Sequence, residues 1–412
     1  MMRLSAKGFQ QESGADGWRA LDATAHAWFE APSHSAGASL VERVAGSVEG
    51  STPPDIDLRP TGVRVRLAGI GEAEVRQAAA ISEAARGLGL TPDPSTLQVA
   101  GLAIDAVDPA ALMPFWRTVL AYRQDDTAHL TDPLRRDPAI VFHQDDGTRP
   151  LRNRLHVDVG RPPERVAAAL AELRHSPSGP YGLMVSDDDG NEVDLVPGGP
   201  MSDASESDDW RAPFAAMVFY PTPAAGRATA LVTAVARLAD DAGIPLLIDV
   251  RSDGVVIDSG KDLWEGEDGP LPAFTDLAAR IQSAARDLGL TADPSRPRFV
   301  QLGLDVADLS AVRGFWASAL GYELDPRQDV VDIYDPRRLS PVLIFQRIDS
   351  TDEDRRRQRD RIRLVLHVPD DHLEQRIDIG IEAGGTVVRT SPGLTRLSDP
   401  EGNELDLITP GD

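Results

Sequence analysis

The sequence predicts an α+β protein made of two tandem copies of one unit of roughly two hundred residues. The repeat is visible in two stretches. Residues 81–95 read ISEAARGLGLTPDPS and residues 281–295 read IQSAARDLGLTADPS, with eleven identities in fifteen positions. Within each copy, stretches with helical spacing of apolar residues alternate with short strand patterns, which favours a mixed helix and sheet fold.

The composition indicates a soluble globular protein. Of the 412 residues, 41% are hydrophobic and 26% are charged. No apolar run approaches the ~20 residues of a membrane span. The absence of cysteine and of a secretion signal fits a reducing cytoplasm. The net charge of −24 opposes binding to nucleic acid or to an anionic membrane. We therefore expect a cytoplasmic protein whose partner is a small molecule, with no nucleic-acid or membrane partner.

The first part of each copy, residues 17–93 and 210–293, is predicted to be a small αβ sandwich. Residues 63–67 alternate like a strand with one polar face, and residues 72–88 return to helical spacing. In the repeated stretch, Gly89 stands where a helix ends in the left-handed conformation.

This first part resembles pterin-4a-carbinolamine dehydratase. The matching residues are Gly17-Trp18-Arg19 and Pro54-Asp55-Ile56-Asp57-Leu58-Arg59, and the second copy keeps Ile248-Asp249-Val250-Arg251. The resemblance implies a His-His-Pro triplet before the Asp-Ile-Asp-Leu-Arg run, but the chain has Thr52-Pro53-Pro54 and Ile244-Pro245-Leu246 there. None of these side chains titrates near neutrality, so the sandwich is expected without dehydratase activity.

The second part of each copy, residues 96–197 and 297–410, begins with a capped helix. Asp108-Pro109 is typical of an N-cap followed by proline in the first turn. Both helices contain a Phe-Trp pair in an apolar stripe, and both copies end in an Asp-x-x-Gly-Asn-Glu turn and a strand. The matching segments are Phe115-Trp116, Phe315-Trp316, residues 187–195 and residues 399–407. Residues 198–209, between the copies, are predicted to be an exposed linker.

These features resemble the vicinal oxygen chelate superfamily, and its glyoxalase-like and bleomycin-resistance-like branches in particular. The resemblance implies two βαβββ modules in each copy, curled around a concave pocket. It also implies that metal ligands come from matching strands of the two modules. The corresponding residues are Gly101, His143, His156 and Asp194 in the first copy, and Gln301, Gln346, Arg363 and Asp406 in the second.

Neither copy keeps a full ligand set. The first copy has glycine at one ligand position. The second has Arg363, which cannot ligate a metal and is expected to pair with Asp406 or Glu404. We therefore expect no metal and no other cofactor. Strand alternation places His156 and Asp158 on one face of their strand, and Glu192 and Asp194 on one face of theirs, and we expect these polar faces to line the first pocket.

The leading functional prediction is a small-molecule-binding protein of the glyoxalase and bleomycin-resistance type. The alternative is a metal-independent lyase, isomerase or cyclase in which His156 is a general acid/base oriented by Asp158 or Asp194. The residues expected to contact the ligand are His143, Glu192, Trp116, Gln301, Gln346, Arg363 and Asp406. The two copies are also expected to pair within one chain, so that a monomer imitates a homodimer, or to assemble further as a homodimer.

Overall fold

The computed structural model describes residues 4–12, 15–47, 52–147, 149–222, 224–349 and 351–410. The chain forms two compact units. The first contains Met1–Leu97, Gly198–Arg298 and Pro410–Asp412, and the second contains Gln98–Pro197 and Phe299–Thr409. Each unit therefore takes one part from each copy. Among the described helices, none combines the length and the apolar character needed to cross a bilayer.

The elements repeat in the two copies. In the first copy they are α1 Ala6–Gln10, β1 Trp18–Leu21, β2 Thr24–Glu30, α2 His34–Ser47, β3 Asp55–Arg59, β4 Gly62–Leu67, α3 Glu72–Arg86, β5 Thr91–Pro92, β6 Val99–Ala106, α4 Pro109–Leu120, β7 Arg123–Gln124, β8 His129–Thr131, β9 Ala139–Gln144, β10 Leu155–Arg161, α5 Pro163–Leu173, β11 Met184–Ser186 and β12 Glu192–Pro197. In the second copy they are β13 Met217–Pro221, α6 Ala225–Ala242, β14 Leu247–Arg251, β15 Gly254–Asp258, β16 Glu265–Gly266, β17 Gly269–Pro270, α7 Pro272–Asp287, β18 Phe299–Val306, α8 Leu309–Leu320, β19 Glu323–Leu324, β20 Ile333–Tyr334, β21 Leu343–Arg347, α9 Glu353–Arg357, β22 Ile362–His367, α10 Leu373–Glu382, β23 Thr386–Ser391, β24 Leu394–Ser398 and β25 Glu404–Ile408.

The repeated stretch ends a helix as expected. Helix α3 ends at Arg86, and Gly89 follows with φ of 74°. The backbone N–H of Leu90 donates to the carbonyl oxygen of Ala85 at 3.0 Å. In the second copy Gly289 takes the same conformation, with φ of 68°. Glycine adopts this region without the steric cost that a Cβ atom brings, which explains the repeat of glycine at this position.

The sheet of the first unit contains strands from both copies. Its order is β1-β2-β4-β3-β14-β15-β13, with β5 paired to β2. One face of this sheet packs its apolar residues in a core with α2, α3, α6 and α7. The two copies meet where β3 pairs antiparallel with β14, and Asp57 lies directly opposite Asp249.

Reciprocal ion pairs join the two copies across this strand pair. Arg59 contacts Asp249 at 2.8 Å, and Arg251 contacts Asp57 at 2.5 Å. Arg64 adds a second bond to Asp57 at 2.6 Å. All five side chains are buried. Burial alone would raise the pKa of Asp57, but Arg251 and Arg64 hold it well below its ordinary value. The Asp-x-Arg motif of each copy is therefore used to clamp that copy to the other.

The second unit contains two sheets. Sheet I has the order β11-β12-β10-β18-β21-β20-β19, and sheet II has the order β23-β24-β25-β22-β6-β9-β8-β7. The antiparallel pair of β10 and β18 joins the modules of sheet I. The antiparallel pair of β22 and β6 joins those of sheet II. The βαβββ modules therefore form pairs, as expected. Each pair, however, consists of one module from each copy and not of two modules from the same copy.

The expectation that each copy closes its own pocket is therefore wrong. Both copies have the same alternation of apolar and polar residues in their strands, so the pattern fits a partner strand from either copy. The side-chain contacts just before β10 and just before β22 involve different residues of the opposite copy. At the start of β10, Arg154 donates to the carbonyl oxygen of Glu401 at 2.7 Å, in the closing turn of the other copy. At the start of β22, Arg361 donates to Asn191 Oδ1 at 2.9 Å.

Asn153 and Asp360 occupy equivalent positions in the two copies, and each accepts a backbone hydrogen bond from the other copy just before β22 or β10. Asn153 Oδ1 accepts from the N–H of Arg361 at 3.0 Å, and Asp360 Oδ1 accepts from the N–H of Arg154 at 2.8 Å. Burial raises the pKa of Asp360 to about 6, against the attraction of Arg154. The carboxyl group of Asp360 thus takes a place that an amide fills in the other copy.

Replacing Asp360 with asparagine should change the pH dependence of stability. A pKa raised by folding means that the folded state binds the proton more tightly, so this contribution is full below the unfolded pKa of about 4 and is lost as pH rises through about 6. The free energy of unfolding of wild type minus that of Asp360→Asn should therefore fall by about 1–3 kcal/mol between the two pH limits. Urea denaturation at several pH values measures this difference.

The matched control is Asn153→Asp, which places a carboxyl group in the equivalent position. It should introduce a loss of stability with rising pH. A constant penalty for Asp360→Asn at every pH would contradict the prediction, because it would mean that Asp360 stays ionised and that its attraction to Arg154 dominates.

Candidate functional site

Each sheet of the second unit combines strands from both copies, and we call this crosswise pairing. The residues at the predicted ligand positions are therefore divided between the two sheets differently from their division between the two copies. On sheet I, every residue at a predicted ligand position has a side-chain atom that can coordinate a metal. On sheet II, two of these positions are occupied by glycine and arginine. The residues on sheet I are His156, Asp194, Gln301 and Gln346, and those on sheet II are Gly101, His143, Arg363 and Asp406. His143 is therefore not on the sheet of His156 and Asp194, contrary to the grouping expected from the first copy alone.

Three of the sheet I residues converge with Asp158. We call His156, Asp158, Asp194 and Gln301 the histidine site. Asp158 pairs in register with Asp194 on one side and with Gln301 on the other, so the three side chains share one face. One possible ligand atom from each of His156, Asp158 and Asp194 lies within 4.8 Å of the other two. Gln346 is on the same sheet but is exposed.

The imidazole of His156 packs against Gly303 of the neighbouring strand. His156 pairs in register with Gly303, and a Cβ atom at Gly303 would stand 2.3 Å from both Cε1 and Nε2 of the ring. Only glycine allows this position of the ring. In the equivalent register of sheet II, Arg363 lies opposite Ala103. The absence of a side chain at Gly303 thus leaves the space that the imidazole of His156 occupies.

The histidine site contains polar atoms that lack hydrogen-bond partners. Gln301 Nε2 donates to Asp158 Oδ2 at 2.8 Å, and His156 Nε2 lies 3.5 Å from Asp158 Oδ1. Among the described residues, His156 Nδ1, Asp158 Oδ1 and Gln301 Oε1 are buried and have no hydrogen-bond partner. Burial and the charge of Asp158 raise the pKa of Asp194. Two carboxylates close together in a buried place favour binding of a proton or a cation.

Sheet II holds the corresponding arginine site, which we define as Arg363, Arg396, Asp105 and Asp406. Arg363 donates to Asp406 at 2.8 Å, as one of its two expected pairings, and to Asp105 at 2.6 Å. Arg396 donates to the two oxygens of Asp406 at 2.6 and 2.9 Å. All four side chains are buried.

Fixed guanidinium groups already neutralise the carboxylates of the arginine site. Burial would raise the pKa of Asp406, but Arg396 and Arg363 lower it. Burial would likewise raise the pKa of Asp105, and Arg363 again lowers it. A divalent cation at this place would have to displace an arginine that cannot give up its charge.

The histidine site lacks both arginines of the arginine site. His156 stands where the arginine site has Arg363, and Met184, opposite Asp194, stands where it has Arg396. Asp194 and Asp406 are the same position in the two copies. Among the described residues, no arginine makes an ion pair or hydrogen bond with Asp194. The arginine site therefore contains its own cations, whereas Asp158 and Asp194 of the histidine site have no arginine partner among the described residues.

Trp116, which the sequence assigned to a ligand pocket, belongs to the core instead. It is fully buried, and its indole N–H donates to Asp187 Oδ2 at 2.9 Å. Trp316 makes the equivalent bond to Asp399 Oδ2 at 2.9 Å. The Phe-Trp helix and the Asp-x-x-Gly-Asn-Glu turn are therefore bonded to each other, and Gly190 in that turn has φ of 77°. Their repetition in both copies reflects folding, not ligand binding.

Sequence reasoning missed four residues in or beside the two sites. Gly303 carried no signal, since a glycine in a strand has many explanations. Asp105 becomes a partner of Arg363 only through the pairing of β22 with β6, and Arg396 joins the site through its hydrogen bonds to Asp406 on the neighbouring strand. Arg152 lies beside the histidine site through its ion pair with Glu192 at 2.5 Å, a contact across 40 residues that no local pattern indicates.

Comparisons with known proteins identify the parts of the second unit. The family model described as a glyoxalase-like domain matches residues 101–196 and 301–408. Glyoxalase I from Zea mays is 12% identical, with coverage of 76% of this chain and 93% of that chain and a TM-score of 0.37. A glyoxalase-related enzyme from Fulvimarina pelagi is 18% identical, with coverage of 26% and 84% and a TM-score of 0.22. A glyoxalase/bleomycin resistance protein from Albidiferax ferrireducens T118 is 17% identical, with coverage of 26% and 93% and a TM-score of 0.20. No curated protein matches the chain.

Proposed function

Because the chain is a tandem member of the vicinal oxygen chelate superfamily with two glyoxalase-like domains, we propose that it binds a small molecule over sheet I. In this proposal His156, Asp158 and Asp194 hold a divalent cation, and the ligand binds through oxygen atoms at that cation. The proposal departs from the expectation of no metal, which rested on grouping ligand positions by copy.

The residues of the histidine site fit a divalent cation by their chemistry. An imidazole nitrogen and carboxylate oxygens are ordinary ligands of zinc, manganese and iron. Three buried atoms, His156 Nδ1, Asp158 Oδ1 and Gln301 Oε1, have no hydrogen-bond partner and could therefore interact with a bound cation or ligand. A cation bound there would act as a Lewis acid that orients and polarises ligand oxygens. Gln301 would support Asp158 through its amide hydrogen bond.

The observation that carries the proposal is the contrast between the two sites. At the arginine site, two guanidinium groups hold Asp406. At the histidine site, His156 and Met184 replace them, and burial with the neighbouring charge of Asp158 raises the pKa of Asp194. Isolated charges are costly to bury without a partner. A cation from solution would supply the positive charge beside Asp194 that arginine side chains supply beside Asp406.

Titration with Mn²⁺ tests the proposal. We expect a single Mn²⁺ per chain in protein stripped with chelator. His156→Ala should weaken binding by about tenfold to a hundredfold or more, because it removes the nitrogen ligand. Calorimetry or electron paramagnetic resonance of free Mn²⁺ measures the affinity.

The control is His143→Ala, which removes the histidine that the sequence grouped with His156 but that lies on sheet II. It should leave the affinity unchanged. Wild-type protein that binds no divalent cation, or equal losses in both variants, would contradict the proposal.

A second candidate is a metal-independent lyase, isomerase or cyclase with His156 as general acid/base. The 3.5 Å separation of His156 Nε2 from Asp158 Oδ1 favours it, because a carboxylate beside an imidazole orients the ring for proton transfer. Turnover that persists in chelator and is lost in His156→Ala would support this candidate over the cation-dependent one.

We assign the first unit a structural role in a cytoplasmic protein that imitates a homodimer within one chain. The ion pairs between β3 and β14 support this role. Dehydratase chemistry is not part of the proposal, because Thr52-Pro53-Pro54 and Ile244-Pro245-Leu246 offer no titratable group. Light scattering tests the assembly: a monomer or a dimer of the chain agrees with it, and an obligate higher oligomer disagrees.

A further inference from the structure

We infer that the ligand of the histidine site carries a planar cation, a guanidinium or amidinium group, which binds Asp194 and Glu192 in the place that Arg396 takes at the arginine site. This inference rests on the proposed function and adds the chemical class of the ligand. It follows from the different surroundings of the same two carboxylates in the two copies.

Arg396 binds two carboxylates of sheet II at once. It lies opposite Asp406 in the register of β24 with β25, and its Nε and Nη2 donate to the two oxygens of Asp406 at 2.6 and 2.9 Å. Its remaining nitrogen, Nη1, lies 3.2 Å from Glu404 Oε2. The planar fork of a guanidinium group is suited to such a pair of contacts.

Each of these two carboxylates also binds a second arginine. Asp406 accepts from Arg363 at 2.8 Å, and Glu404 contacts Arg359 at 3.0 Å. A carboxylate at either position therefore serves two cations at the same time. Arg396 is the cation that the two carboxylates share.

The histidine site has the same two carboxylates but not the cation that they share. Asp194 and Glu192 occupy the positions of Asp406 and Glu404, and an uncharged residue, Met184, lies opposite Asp194. Both carboxylates of the histidine site are only partly buried, so a ligand can reach them.

Each carboxylate of the histidine site keeps one of its two cations. Glu192 contacts Arg152, and in the proposed function Asp194 binds the divalent cation. In the part of the chain that the structure describes, neither carboxylate has a further cationic partner. The cation that both lack is the counterpart of Arg396.

The side chain of Met184 packs against the loop that precedes β11. Met184 forms an isolated bridge with Ser178, and a Cβ atom at Gly179 would stand 3.8 Å from its Sδ and 3.9 Å from its Cε. The thioether of Met184 has no N–H group to donate to Asp194. A cation beside Asp194 at this place therefore has to come from a ligand.

Buried acceptors on the same face of sheet I also indicate a ligand. Gln301 Oε1 and Asp158 Oδ1 have no hydrogen-bond partner among the described residues, although the two residues are only 2% and 6% exposed. Buried polar atoms normally have partners. Because both atoms are acceptors, this face requires cations or hydrogen-bond donors from outside the chain.

The divalent cation of the proposed function requires oxygen atoms from the same ligand. A molecule with a metal-binding carboxylate at one end and a guanidinium or amidinium group at the other meets both requirements. Asp194 would then bind the metal with one oxygen and the ligand with the other, as Asp406 binds two arginines.

Guanidinoacetate and N-carbamoylglycine test the inference as a matched pair of probes. They have the same carboxylate end and a similar shape, but the distal group is a cation in the first and a neutral urea in the second. We expect Mn²⁺-loaded wild type to bind guanidinoacetate about tenfold or more tightly, because hydrogen bonds between charged groups are the stronger ones. Calorimetry measures both affinities.

Met184→Arg gives the protein its own guanidinium group at this place, as Arg396 does on sheet II. This variant should bind the two probes about equally. The control is Ser176→Arg, which adds the same charge at an exposed position of the loop before β11 and should keep the wild-type preference.

Wild type without a preference, or a preference that persists in Met184→Arg with Mn²⁺ bound, would overturn the inference. A preference lost in Ser176→Arg as well would also overturn it, because added charge alone would explain the loss. Loss of Mn²⁺ binding in Met184→Arg would support it, since the new guanidinium group would have to reach Asp194. Absence of Mn²⁺ binding in wild type would instead overturn the proposed function.

Discussion

Replacing Asp57 with asparagine should destabilise the protein by about 3–5 kcal/mol at neutral pH. Asp57 is 1% exposed and accepts from Arg251 at 2.5 Å and from Arg64 at 2.6 Å. The asparagine variant would leave two buried guanidinium groups without their carboxylate. Equilibrium unfolding in urea measures the loss.

The stability difference between wild type and Asp57→Asn should depend on pH in a direction that can be measured. Arg251 and Arg64 hold the pKa of Asp57 below its ordinary value despite burial. A lowered folded pKa contributes stability above the unfolded pKa of about 4, and this contribution is lost as pH falls through the folded pKa. The difference between wild type and Asp57→Asn should therefore be largest at neutral pH and shrink in acid.

The matched control is Asp253→Asn, in the same unit. Asp253 contacts Arg296 at 2.9 Å, with the two side chains 49% and 35% exposed. Exposed pairs contribute about 0–1 kcal/mol, so this variant should be nearly neutral. Similar losses for both variants would contradict the interpretation of Asp57 as part of a buried clamp between the copies.

Replacing His156 with arginine should abolish binding of Mn²⁺ without unfolding the protein. The substitution gives sheet I the side chain that sheet II already has at Arg363. The new guanidinium would pair with Asp194, as Arg363 pairs with Asp406, and with Asp305, the counterpart of the Asp105 that Arg363 also contacts. Wild type at a hundredfold excess over the dissociation constant should gain about 2.7 kcal/mol from Mn²⁺, and the variant should gain nothing. Thermal unfolding with and without Mn²⁺ measures both values.

Two results would oppose this prediction. If His156→Arg kept the wild-type response to Mn²⁺, the cation would bind elsewhere. If the variant failed to fold, Gly303 and Met184 would not give the new side chain the room that Ala103 gives Arg363. The companion variant Arg363→Lys keeps a positive charge at the arginine site and should leave the response to Mn²⁺ as in wild type.

The sequence alone was sufficient for the duplication, the element types and the local turns. The repeated stretch, the N-cap at Asp108 and the left-handed Gly89 depend on residues within a few positions of each other. Local sterics and hydrogen bonding decide such features, so their pattern is readable in the chain. The glyoxalase-like resemblance also depends on local segments, and the family match at residues 101–196 and 301–408 confirms it.

Only the tertiary structure decided which residues share a site. Grouped by copy, His156 had glycine and His143 as companions, and Gln301 had Arg363. Pairing of β10 with β18 replaces glycine with Gln301 and separates His156 from His143. Both copies have the same strand alternation, so either partner buries an equivalent apolar face. The choice depends on long-range contacts at the strand starts, such as Arg154 with Glu401, and on side-chain fit, such as His156 over Gly303. Those contacts exist only once the chain is folded.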